Sequence, residues 1–114
     1  MRIVITKTFE KDFIKVLKYR NFLNDFSDLL KKKSHTFIDL KDPYKKFKYK
    51  IWNISLRSIL FFSFENKIIP IFIAKKSDKK DWYNIILDNR FNDILKQKLL
   101  LVKDDIQKWN FEIY

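Results

Sequence analysis

A chain of 114 residues has room for one domain, and with 46% hydrophobic and 18% aromatic residues it carries enough apolar material to fill a core, which excludes a disordered chain. The formal net charge of +11 rests on 21 Lys and four Arg and points to polyanionic partners, although the excess of Lys, Asn, Ile and Phe and the lack of Gly are also what AT-rich coding would produce without selection for binding. The absence of Cys excludes disulfides and thiolate chemistry, the single His35 is too little for a histidine zinc motif, and no apolar run has spanning or signal-peptide length. A soluble, cytoplasmic protein with no membrane partner is expected.

Arg2 to Thr8 set Ile3 and Ile5 against Arg2 and Thr6, with Val4 between, and read as a short strand. Thr8 is placed to cap the following helix, with Lys11 at the position where a capping box carries Glu or Gln. Phe9, Phe13, Val16 and Leu17 recur at helical spacing to about Arg20. Phe22, Phe26, Leu29 and Leu30 mark a second helix that ends on Lys31, Lys32 and Lys33, where positive charge suits the helix dipole. Ser34 to Lys46, with the Asp42-Pro43 turn signal, reads as irregular, and His35 as a loop residue just past a helix end. From Phe47 the period becomes two: Phe47, Tyr49 and Ile51 face one way, Lys46, Lys48, Lys50 and Trp52 the other. Ile59 to Phe64 and Ile68 to Ile73 form an apolar hairpin across Glu65-Asn66-Lys67. Pro70, which has no N–H to donate, must mark an edge, a bulge or an outward position. Beyond a polar stretch from Lys75 to Asp81, Phe91, Ile94, Leu95, Leu99, Val102, Ile106 and Trp109 describe an amphipathic helix of roughly fifteen residues or more. The expected fold is α+β in a single domain over residues 1–114: an amino-terminal strand, two helices, a three-stranded antiparallel sheet and a carboxy-terminal helix, with the helices on one face of the sheet.

The face carrying Lys46, Lys48, Lys50 and Trp52 offers ammonium groups for phosphates and a ring for a base, and equally fits a solvated sheet face. Arg57 begins a strongly apolar strand, and a guanidinium holds a phosphate in a fixed fork as an ammonium cannot. Lys75 and Lys76 close the next strand, which hairpin pairing brings near Arg57. Tyr83 follows shortly, and Lys79 and Lys80 extend the basic segment as further RNA contacts. One Arg, a few Lys and one Tyr suffice for cleavage of a phosphodiester by the RNA's own 2′-OH: the cations stabilise the charge on pentacoordinate phosphorus, and Tyr or Lys moves protons. Such a site requires no metal or other cofactor, and Asp78 and Asp81, the nearby acids, read as ordinary loop residues.

The stretch Tyr49-Lys50-Ile51-Trp52-Asn53-Ile54-Ser55-Leu56-Arg57-Ser58-Ile59-Leu60-Phe61-Phe62 resembles the strand–turn–strand pattern of the RelE/ParE toxin superfamily. Asn66 to Lys79, running through Lys75-Lys76-Ser77, resembles its HigB-like branch, and the order of elements over residues 1 to about 90 is similar to the superfamily's. The resemblance implies a RelE-like fold and a toxin of a type II toxin–antitoxin module that cleaves mRNA, often on the ribosome, with a cognate antitoxin covering the basic face. It implies that Arg57 contacts the scissile phosphate, that Lys50 serves proton transfer or charge stabilisation, that Lys76 (or Lys75) takes the second basic position, and that Tyr83 stacks on or polarises the substrate. Two other readings stand beside the ribonuclease: a ParE-type relative that inhibits DNA gyrase, and a non-enzymatic binder of nucleic acid or of an acidic partner.

Overall fold

Ile3, Val4 and Ile5 are buried in strand β1 (Arg2–Thr6) because β1 runs through the interior of a sheet instead of along its edge. The computed structural model describes residues 2–40, 43–63, 65–76 and 89–114. It contains helices α1 (Lys7–Leu17) and α2 (Phe22–Lys32), a 3-10 turn (Ser34–Thr36), strands β2 (Ile38–Asp39), β3 (Tyr44–Ile51), β4 (Ile54–Ser63) and β5 (Lys67–Lys75), helix α3 (Asn89–Gln107) and strand β6 (Phe111–Ile113). The strands form one six-stranded sheet in the order β2-β3-β4-β5-β1-β6. β1 is parallel to β5 and antiparallel to β6, so the sheet is mixed.

The first face of the sheet is sealed by α1 and α2. Phe9, Phe13, Leu17, Leu23, Phe26 and Leu30 meet Ile3, Ile5, Phe47, Tyr49, Ile51 and Leu56 in one cluster. Phe26 is its hub, with ring centroids 5.4 Å from Phe9, 5.5 Å from Phe13 and 5.3 Å from Tyr49. Each such ring, removed from water, contributes about 1.5–3 kcal/mol. A smaller cluster on the second face joins Val4, Ile59, Ile69, Ile71, Phe72 and Ala74 to Leu95 and Val102 of α3. Side chains tie α3 to α1: Lys98 Nζ lies 2.6 Å from Asp12 Oδ2, and Asp105 Oδ2 accepts from both the N–H and the hydroxyl of Thr8 at 2.7 Å.

Several expectations are corrected. The three-stranded antiparallel sheet with helices on one face is a six-stranded mixed sheet with helices on both, while the α+β class holds. β2 has only two residues and β6 only three, too few for any period to register, and the parallel pairing of β1 with β5 is a long-range contact that no local pattern encodes. The cap of α1 is Thr6, whose hydroxyl accepts from Phe9 N; Thr8 bonds α3 instead. β3 starts at Tyr44, three residues earlier than the period-two reading from Phe47. Pro70 does sit at a bulge: Ile59 pairs with Phe72 and Leu60 with Pro70, so Ile71 is the extra residue. Trp109 lies past the end of α3 with φ 60°, stacked on Phe111. No helix among the described residues is long and apolar enough to cross a membrane.

Candidate nucleic-acid interface

Alternation along β3 sorts its lysines. Phe47, Tyr49 and Ile51 are buried against α2, so Lys46, Lys48 and Lys50 must stand on the second face, where Lys48 and Lys50 are exposed and Lys46 is half-buried. The register continues this selection across the sheet. Lys50 lies opposite Ser55, and the Lys76 N–H donates to Ser55 O at 2.9 Å, extending the β4–β5 ladder by one residue. Lys48 lies opposite Arg57, which in turn faces Ala74. Lys46 lies opposite Ile59, which in turn faces Phe72, and Tyr44 lies opposite Phe61. The second face over β3 and β4 is thus ruled into rows: Lys50–Ser55–Lys76, Lys48–Arg57–Ala74, Lys46–Ile59–Phe72, and an aromatic row whose Tyr44 and Phe61 rings meet edge to face at 5.9 Å. Helix α3 packs beside these rows, on β5 and β1.

The electrostatics follow from the crowding of cations. Burial holds the Lys46 ammonium below the usual lysine range, and the positive charges of Lys48 and Arg57 push it the same way. Arg57 is half-buried, with Nη1 donating to the Leu56 carbonyl at 2.9 Å. Among the described residues no ion pair involves Lys46, Lys48 or Lys50, in contrast to Lys45 on the opposite face, which lies 3.3 Å from Asp39 and over the Phe62 ring. On the opposite face of the same two strands, the buried Tyr49 hydroxyl and Ser58 Oγ share a hydrogen bond of 2.8 Å.

The structure brings Lys46, Lys48, Lys50, Arg57 and Lys76 to one face. It separates Trp52 from them: the alternation stops at Ile51, and Trp52 and Asn53, at φ 52° and 63°, form the tight turn, with the exposed Trp52 ring 6.1 Å from Phe22 on the α2 side. Lys75 lies opposite Leu56 and so belongs to the α2 side of the sheet, one residue out of phase with Lys76. Tyr83, Lys79 and Lys80 lie outside the described residues. His35 is exposed on the 3-10 turn. Among the described residues no three His, Asp or Glu side chains gather in a way that could hold a metal ion. Tyr44, Ser55 and Phe61 are the additions to the face; Tyr44 has the same parity as Lys46, a signal that the preceding Pro43 obscured. Comparison with protein-family models, with curated proteins and with solved structures found no match.

Proposed function

We propose that this chain is the toxin of a type II toxin–antitoxin module, an endoribonuclease of the RelE/HigB kind that cleaves mRNA on the ribosome without a metal ion. The observation that supports the reading is the ladder of Lys46, Lys48 and Lys50 beside Arg57 and Lys76 on one sheet face. Alternate residues of a strand stand about 6.5–7 Å apart. That repeat matches the spacing of successive phosphates in an extended single strand, so neighbouring phosphates can each meet a cation. In the cleavage step the 2′-oxygen attacks the adjacent phosphorus and the bond from phosphorus to the 5′-oxygen breaks, leaving a 2′,3′-cyclic phosphate and a 5′-hydroxyl. Arg57 grips the scissile phosphate in its fork, and Lys48, Lys50 and Lys76 stabilise the developing negative charge. Lys46, whose ammonium is held below the usual lysine range by burial and by the charges of Lys48 and Arg57, accepts the proton of the 2′-OH in its neutral amine form. The departing 5′-oxygen takes its proton from Tyr83 or from a lysine ammonium, and Tyr83 also stacks on or polarises the substrate, the role that the resemblance gives it.

The test is to induce the wild type and Arg57→Ala and to map transcript ends in each. Wild type arrests growth and leaves 2′,3′-cyclic phosphate ends in the presence of EDTA. Arg57→Ala remains folded and loses roughly 10²–10³-fold in cleavage, the size expected for one preorganised cationic donor. Unchanged toxicity of Arg57→Ala removes this residue from the mechanism, 3′-hydroxyl ends rule out 2′-OH attack, and RNA binding without any cut ends reduces the protein to a nucleic-acid binder.

A further inference from the structure

The far end of the second face, beyond α3, holds a hollow of about 630 Å³ with an apolar floor of Val4, Ile69, Ile106 and Phe111, walled by Trp109 and Ile113. Trp109 is 81% exposed and Ile113 54%, two large apolar side chains side by side at the mouth of one hollow. The same two strand residues that line the hollow also hold the edge of the sheet. In the β1–β6 pair, Tyr114 exchanges both backbone hydrogen bonds with Ile3, and Asn110 O accepts from Lys7 N, so the bonded positions are the even-numbered ones. Phe111 and Ile113 occupy the alternate positions, and their N–H and C=O groups point away from β1. Among the described residues β6 is the last strand of the sheet, so no described strand receives them.

We propose that this edge is a docking site for an extended peptide segment of a partner protein, acidic overall and apolar at alternate positions, which adds as a seventh strand beside β6. The backbone groups of Phe111 and Ile113 give it two or more ladder bonds, and the period of two sends every second side chain towards the hollow. Charge selects the acidic partner over a second copy of this chain. The net charge of +11 opposes self-association, and Arg2 and Lys67 outnumber Glu65 on the rim of the hollow. This site is distinct from the lysine ladder and stands whether or not the chain cleaves RNA.

Ile113→Pro removes an outward N–H and leaves the Tyr114–Ile3 bonds in place, a substitution an edge strand tolerates. The probe is a short blocked peptide alternating Glu and Ile, with a Glu/Ser peptide of equal charge as control and a version N-methylated at alternate residues as the test that leaves the protein unaltered. Binding is followed by amide and indole NMR shifts of wild type and variant. The expected result is a Glu/Ile complex that shifts Phe111, Ile113 and the Trp109 indole. Its dissociation constant rises about tenfold or more in Ile113→Pro and with the N-methylated peptide, as loss of ladder bonds predicts. Equal binding of the Glu/Ser peptide, or shifts confined to Lys46, Lys48 and Lys50, overturns the proposal in favour of charge attraction alone. Dimerisation of the free protein through β6 overturns it in favour of a second copy.

Discussion

Tyr49 and Lys46 sit three residues apart on β3, on opposite faces, and burial moves them in opposite senses. The Tyr49 phenol is fully enclosed, and burial raises its pKa well above the ordinary 10.0, a shift the Ser58 hydrogen bond only partly offsets. A raised pKa means the folded state keeps a proton that the unfolded state gives up, so the stability it contributes is complete below pH 10 and drains away as pH climbs higher. Tyr49→Phe therefore costs about 1–2 kcal/mol at neutral pH, because Ser58 Oγ is left buried without its partner. The same variant loses less stability than wild type between neutral and strongly alkaline pH, and urea titrations at both pH values check it. Lys46 has a lowered pKa, caused first by burial and then by Lys48 and Arg57. The unfolded state binds its proton more tightly, so Lys46 opposes folding at neutral pH and that opposition fades as pH rises towards 10.5. Lys46→Gln is expected to raise the melting temperature at pH 7, by an amount that shrinks towards pH 10, while weakening RNA binding. A variant that is less stable at pH 7 would show that Lys46 is held by favourable contacts instead.

Helix α3 and strand β6 depend on each other through Asp105. Its carboxylate accepts the Thr8 N–H and hydroxyl, fixing α3 to the first turn of α1, and its carbonyl accepts the Asn110 N–H as the chain turns into β6. Asp105→Ala removes both bonds to a charged acceptor, each ordinarily worth about 1.5–3 kcal/mol. The expected loss is about 2–4 kcal/mol, with hydrogen-exchange protection falling first in β6 and the last turn of α3. Uniform loss of protection across the sheet would instead show that α3 and β6 are not a separate unit. The two amino-terminal helices were plain in the sequence because their apolar stripes are wide and end on clear signals, Phe9 to Leu17 and Phe22 to Leu30. Pro70 narrowed its own place to an edge, a bulge or an outward position, because a residue without an N–H has few places in a sheet, and the β4–β5 register selects the bulge. β2 and β6 were not, since two- and three-residue strands carry no period.

Across the whole molecule the +11 charge is divided unevenly in its use. Lys45, Lys67, Lys98, Lys108 and Arg20 are ion-paired, whereas Lys46, Lys48 and Lys50 stand in a row with no ion pair among the described residues. If four or five cations of the ladder each neutralise a phosphate, the logarithm of the binding constant for single-stranded RNA falls with log salt at a slope of about −3. The double variant Lys48→Ala/Lys50→Ala flattens that slope by about 1.4, as two lost contacts require. A slope unchanged by the double variant means that RNA binds elsewhere on the surface.

Composition, alternation and helical spacing sufficed for the α+β class, the phase of Lys46, Lys48 and Lys50 on β3, and the proximity of Arg57 to the end of the next strand. Those are local properties: a strand's period assigns faces, and a short hairpin fixes which residues become neighbours. Tertiary structure alone decided that Lys76 and not Lys75 joins Arg57, because a register differing by one residue exchanges the faces. It alone turned Trp52 away towards Phe22, since a two-residue turn with both φ values positive breaks the alternation at Ile51. It also placed β1 between β5 and β6, a pairing of residues far apart in the chain whose stabilisation comes from burial on both faces and leaves no mark in either segment read by itself.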